Sequence, residues 1–220
     1  MSWLLRALDS SIGKKFLTAL TGLALVGFLF VHLGGNLLIY AGESGKAFDA
    51  YASSLDGNPL LPLAEVALGL LFVAHIAFAL RANVRNREAR TQGYAVRASL
   101  GKKTVSSVSM VVTGLLVLVF LLIHLYDFRI GRLRAPEGTS LAALVRARLS
   151  APLGASVYLL GVAALSIHLR HAFRSAFQSL GVSHPRLDPA LEKLSWIVAV
   201  VLGLGFASFP LYFLAKGPVA

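Results

Sequence analysis

Five apolar stretches, at about residues 16–40, 61–80, 105–127, 153–173 and 194–215, decide what this chain can fold into. Each is long enough to cross roughly 30 Å of hydrocarbon as a helix rising about 1.5 Å per residue. Lipid offers no water to satisfy backbone N–H and C=O groups, so a segment of this kind crosses as a helix that satisfies its own. Composition agrees: 56% of residues are apolar and only 14% are charged, against about a quarter charged in a soluble domain. The sequence predicts an all-α membrane protein with five transmembrane helices in a single domain over residues 1–220. We find no fixed-period repeat and no low-complexity tract.

Residues 3–11, WLLRALDSS, read as a short amphipathic helix lying at the interface. A cleaved signal peptide is disfavoured, because the apolar block is short and Lys14–Lys15 follow it rather than precede it. The net charge of +11 sits in the loops. Fourteen Lys and Arg fall on the side of the N-terminus and seven on the other, so the positive-inside rule places the N-terminus in the cytoplasm. On so apolar a chain this excess reads as topology, and no nucleic-acid partner is expected. With no cysteine, thiolate metal sites, Cys-ligated clusters and thioether-attached haem are excluded.

The histidines carry the chemistry. Of six, His32, His75, His124, His168 and His171 lie within or at the ends of spans. A single intramembrane His is often an interhelical hydrogen bonder. One in each of four successive spans asks for a shared purpose, since ionisable groups in hydrocarbon are costly. Counting along the helices, His32 lies about 25 Å and His124 about 30 Å from the inner face, while His75 and His168 lie roughly 9 Å from it. Two pairs result, an outer one (His32 with His124) and an inner one (His75 with His168). Paired imidazoles from different helices suit a six-coordinate b-type haem, whose filled axial positions favour electron transfer over oxygen chemistry. The first four spans are therefore expected to form a haem-binding bundle holding two haem b. Gly34 and Gly35, Ala74 and Ala77, and Ala172 beside the ligands are expected to let a porphyrin approach the backbone. A dinuclear metal site or proton relay would want carboxylates that the spans hardly supply.

His171 lies three residues after His168 on nearly the same face, so either can serve as the inner ligand. His168 is the deeper and is preferred, with His171 an interfacial residue suited to a haem propionate. His184, before Pro185 in a polar loop, reads as a surface residue.

Two segments carry a resemblance. SSIGKKFLTALTGL with FLFVHLGGNLLIYAG, and IHLRHAFRSAFQSLGVSHP, resemble the first and fourth helices of the single-chain, di-haem cytochrome b anchor of succinate dehydrogenase and fumarate reductase. The resemblance extends over nearly the whole chain, with one ligand in each of helices one to four and a fifth helix without one. It implies an anchor for a flavoprotein subunit and an iron–sulfur subunit on the cytoplasmic face of the bacterial inner membrane. Electrons would pass from succinate through flavin, clusters and the inner and outer haems to a quinone, or in reverse to fumarate. By position it implies His32, His75, His124 and His168 as ligands, and a small residue four positions after the fourth, here Ala172, supports His168 over His171. In relatives that move protons through the protein a Glu stands two residues before that ligand. Ser166 occupies the place here, so that pathway is not expected.

The resemblance puts the quinone, menaquinone by family habit, close to the outer haem. Candidates there are Asp49, Tyr51, Asp56, Glu65 and Asp127 for protons, with Asn36 and Arg129 as donors. Asp49 and Asp56 equally read as solvated loop residues, and Glu65 opens a span. On the inner side Arg6, Lys14, Lys15, Arg81, Arg85, Arg87 and Arg90 form a basic rim for lipid headgroups, the iron–sulfur subunit or the inner haem propionates. No nucleotide-binding loop is present, so succinate chemistry would belong to partner chains. Rival readings are the cytochrome b of a hydrogenase or formate dehydrogenase, and a small cation transporter lined by histidines.

Overall fold

In a computed structural model, residues 10–88 and 105–217 are described, and within them every regular element is helical. The order is α1 (Ser11–Leu37), α2 (Lys46–Asp56), α3 (Leu61–Glu88), α4 (Val105–His124), α5 (Gly131–Arg134), α6 (Leu141–Ser150), α7 (Pro152–Ser179) and α8 (Asp188–Lys216). A π-helical turn, Leu125–Ile130, joins α4 to α5 without a break in the helical path. Local chemistry sets several boundaries. Ser10 and Ser140 accept bonds from the amides of Gly13 and Ala143, capping α1 and α6. Pro152 opens α7, where its missing N–H has no helical partner to lose.

Five helices are long and apolar enough to cross a membrane: Ile12–Tyr40, Leu61–Val84, Met110–Arg134, Pro152–Ser179 and Asp188–Lys216. This is an all-α membrane protein. Its outward surface agrees, since Leu70, Leu115, Leu160 and Leu204 are each at least 60% exposed. Each would be worth about 1.5–3 kcal/mol to bury from water, a debt that lipid cancels. The third span runs on to Arg134, beyond the expected end at 127. The reason is ion pairing: Arg129 meets Glu65 at 2.9 Å and Arg132 meets Asp56, so the charges that suggested an exit are neutralised at the helix end.

The helices pack as two pairs, α1 with α3 and α4 with α7. The pairs meet through α1 and α7, and α8 lies along α7. Neither α1 with α4 nor α3 with α7 forms an extensive direct contact. The buried apolar core gathers where α1, α7 and α8 converge, with Leu33, Leu169, Leu202 and Phe209 among its members. It continues outward under α6 through Ala142, Val145 and Leu149. The proposed N-terminal interfacial helix lies outside the described residues, apart from its end.

Candidate functional site

Four spanning helices direct one histidine each towards a neighbour, and these fall in two layers. In the first, His32 of α1 and His124 of α4 face one another with ring centroids 5.8 Å apart and planes at 88°. Imidazole nitrogens bind first-row metals at about 2 Å, so two imidazoles on opposite sides of one metal have centroids about 6 Å apart. His32 and His124 fit that spacing, on helices that do not otherwise pack closely. Aromatic rings enclose the pair. Phe28 stacks on His32 at 5.3 Å, Phe206 of α8 lies 5.9 Å from it, and Phe120, Phe128 and Tyr158 surround His124. The fifth span thus walls this layer while adding no histidine.

The second layer holds His75 of α3 and His168 of α7, which lie within electrostatic reach of each other. Each is gripped by a threonine from the helix it packs on. Thr21 Oγ1 of α1 is 3.2 Å from His75 Nδ1, and Thr113 Oγ1 of α4 is 3.3 Å from His168 Nδ1. A glycine follows each threonine. A Cβ at Gly22 would stand 3.0 Å from His75 Cε1, and one at Gly114 would stand 3.3 Å from His168 Cε1. Sequence reasoning passes over all four residues. The signal was a recurrence rather than a period: Thr-Gly-Leu, four residues, Phe, three residues, His-Leu, at 21–33 and again at 113–125.

The small residues expected to admit a porphyrin need correction at one place. Gly35 is filled by a protein ring, since a Cβ there would lie 2.6 Å from Tyr51 Cε1. Nothing lies within 4 Å of a Cβ at Gly34. The glycines that touch the imidazoles are Gly22 and Gly114, on the helix opposite each histidine rather than beside it.

His171 is half-buried at the end of the bundle, among Arg170, Arg174 and Glu192. Glu192 pairs with Arg174 and lies 3.7 Å from Arg170, whose guanidinium also covers the Trp196 ring at 3.8 Å. Thr113 thus holds His168, while His171 sits in a charged cluster suited to an anionic group. If His168 is the haem ligand that the sequence suggests, His171→Gln is expected to keep full haem content and shift only the midpoint of that haem. Haem analysis and a redox titration check this; loss of that haem from His171→Gln but not from His168→Gln would reverse the assignment. His184 is exposed in a turn, with Nδ1 accepting the Arg186 amide at 3.2 Å.

The quinone candidates separate. Asp49 and Asp56 lie on α2 rather than in a loop. Asp49 accepts the Ala142 amide at 2.9 Å, tying α2 to the start of α6, and Asp56 pairs with Arg132. Asn36 donates to the His32 carbonyl at 2.6 Å. Glu65 and Arg129 come together as an exposed pair. Asp127 has two partners: its Oδ2 accepts from Tyr158 OH at 3.0 Å and lies 2.8 Å from Arg148 Nε. Tyr158 and Arg148, absent from the sequence-derived set, join it to the His124 layer.

Ser166 donates to the Val162 carbonyl at 2.9 Å and faces α8, where a Cβ on Gly203 would lie 2.3 Å from its Oγ. Of the expected basic rim, Lys15 and Arg81 are exposed and Lys14 is buried. Arg6, Arg90 and the side chains of Arg85 and Arg87 lie outside the described residues. Comparison with protein-family models, curated proteins and solved structures returns no match.

Proposed function

We propose that this chain is a di-haem cytochrome b of the bacterial cytoplasmic membrane, the anchor subunit of a succinate:quinone oxidoreductase. The observation that carries the reading is the meeting of His32 and His124, from different spans, at the centroid spacing that two axial imidazoles require. A second pair, His75 and His168, sits one layer away. Thr21 beside His75 and the ligand His32 are eleven residues apart on α1, which separates the layers by about 16 Å along the helix. Two b-type haems bound between these pairs would supply one-electron transfer across the membrane.

The chain's own residues then have distinct tasks. His32 and His124 hold one group and His75 and His168 the other, while the aromatic enclosure around His124 keeps water from the first layer. His171 with Arg170 and Arg174 suits the propionates of the second. The Glu65–Arg129 pair, exposed where α3 begins and where the π-helical turn follows α4, is the candidate to bind a quinone headgroup and exchange its protons, with menaquinone the expected class. With the N-terminus in the cytoplasm, exposed Lys15 and Arg81 flank the face where flavoprotein and iron–sulfur subunits would dock.

A reduced-minus-oxidised spectrum of the purified protein tests the reading, with a b-type α-band expected at two haems per chain. A spectrum without that band would sink it. Co-purification with a succinate-oxidising flavoprotein, rather than a hydrogenase or formate dehydrogenase, decides which complex the cytochrome serves.

A further inference from the structure

The doubled motif gives each threonine a task that its position would not suggest. Thr21 and Thr113 sit on the helices that carry the ligands of one layer, His32 and His124, yet both touch the histidines of the other. Their hydroxyl protons are already engaged. Thr21 Oγ1 donates to the Leu17 carbonyl at 2.7 Å, and Thr113 Oγ1 donates to the Met110 carbonyl at 3.1 Å. A hydroxyl has one proton, so while that proton is given along its own helix each oxygen can only accept from His75 and His168, an arrangement that calls for the N–H on Nδ1. With Nδ1 protonated, Nε2 is the bare nitrogen in both rings, free to bind a metal.

We propose that Thr21 and Thr113 lock His75 and His168 in the tautomer that ligates through Nε2 and set the potential of the haem between them. The inference rests on the haem reading and deepens it. The physical basis is that an imidazole donating its outer N–H to an acceptor becomes a stronger electron donor to its metal, which favours the oxidised state. The threonines therefore hold the second-layer potential down. Gly22 and Gly114 serve the same contact, because a side chain at either would press on the imidazole. In the other layer, aromatic rings surround His32 and His124, and among the described residues no threonine hydroxyl is one of their contacts. The two haems would thus differ in potential because a hydroxyl abuts the ligands of one and phenyl rings abut those of the other.

Thr21→Val and Thr113→Val, with Thr21→Ser and Thr113→Ser as rescues, test this in the complex purified from its membrane. Each valine variant is expected to raise the midpoint of the haem that His75→Ala removes. The expected change is severalfold in the oxidised-to-reduced ratio, where tenfold corresponds to about 59 mV for one electron. The serine variants should return it. The midpoint of the His32/His124 haem should stay in place, although Thr21 shares a helix with His32. Movement of that midpoint instead, or of neither while both haems are bound, would overturn the inference and leave the haem reading standing. Loss of both haems in valine and serine variants alike would mark the threonines as packing residues and overturn it too. Absence of haem from the unaltered protein would overturn the haem reading itself, and would be seen before any variant is made.

Discussion

On the proposed di-haem reading, His32→Ala and His124→Ala are expected to remove the same haem, and His75→Ala and His168→Ala the other, each variant falling from two haems per chain to one. The motive is geometric. His32 and His124 are separated by 5.8 Å between centroids but come from helices that do not pack extensively on each other. Removing either imidazole would leave the proposed haem with one protein ligand, and the Phe and Tyr rings around the pair offer no nitrogen in exchange. His75 and His168 are anchored from behind by different helices, through Thr21 and Thr113. Their layer should survive the loss of the first. Haem per protein by pyridine haemochrome, with a redox titration resolving the remaining midpoint, reads the result. Loss of the same haem from His32→Ala and His75→Ala would break the pairing.

How much of this was legible in the sequence differs by type of interaction. The spans were, because a run of some twenty apolar residues has one solution in lipid. The four histidines were, because an ionisable group in such a run stands out against its neighbours. Contacts between distant residues were not. Asp127, Arg148 and Tyr158 lie on three different elements, and no local pattern announces that one carboxylate will take both partners. Gly35 looked like room for a cofactor beside His32, whereas α2 folds back and places Tyr51 there. α2 and α6 were missed because they are short, polar on one side and set between spans where charges read as loop. The third span ran past its expected end because Glu65 and Asp56, on other elements, neutralise Arg129 and Arg132. Only the Thr-Gly-Leu recurrence was written locally, and it is visible once spans one and three are laid side by side.

The Asp127 knot makes the second large prediction. Its carboxylate is 12% exposed and one oxygen, Oδ2, serves both Tyr158 OH and Arg148 Nε, the latter as a close ion pair rather than an in-line hydrogen bond. Tyr158, 6% exposed, packs edge-on to Phe120 at 5.2 Å and beside His124 at 6.1 Å. Asp127→Ala deprives Tyr158 and Arg148 of their shared partner at once. A hydroxyl left unsatisfied inside the bundle costs about 1–3 kcal/mol. Arg148 adds less, because its side chain is 35% exposed and solvent screens the lost charge. We expect Asp127→Ala to destabilise the folded protein by about 2–3 kcal/mol, and Tyr158→Phe, which keeps the ring, by about 1 kcal/mol. Thermal unfolding in detergent measures both. The haem midpoints supply the sharper reading: Asp127→Ala should disturb the His32/His124 haem, whose wall Tyr158 forms, and leave the His75/His168 haem alone. Pairing Asp127→Asn with Arg148→Met in a double-mutant cycle isolates the ion pair from the Tyr158 hydrogen bond, which the asparagine carbonyl can still accept. An Asp127→Ala protein that melts with the unaltered one and keeps both midpoints would mean that this carboxylate is solvated and that the His32/His124 layer stands without it.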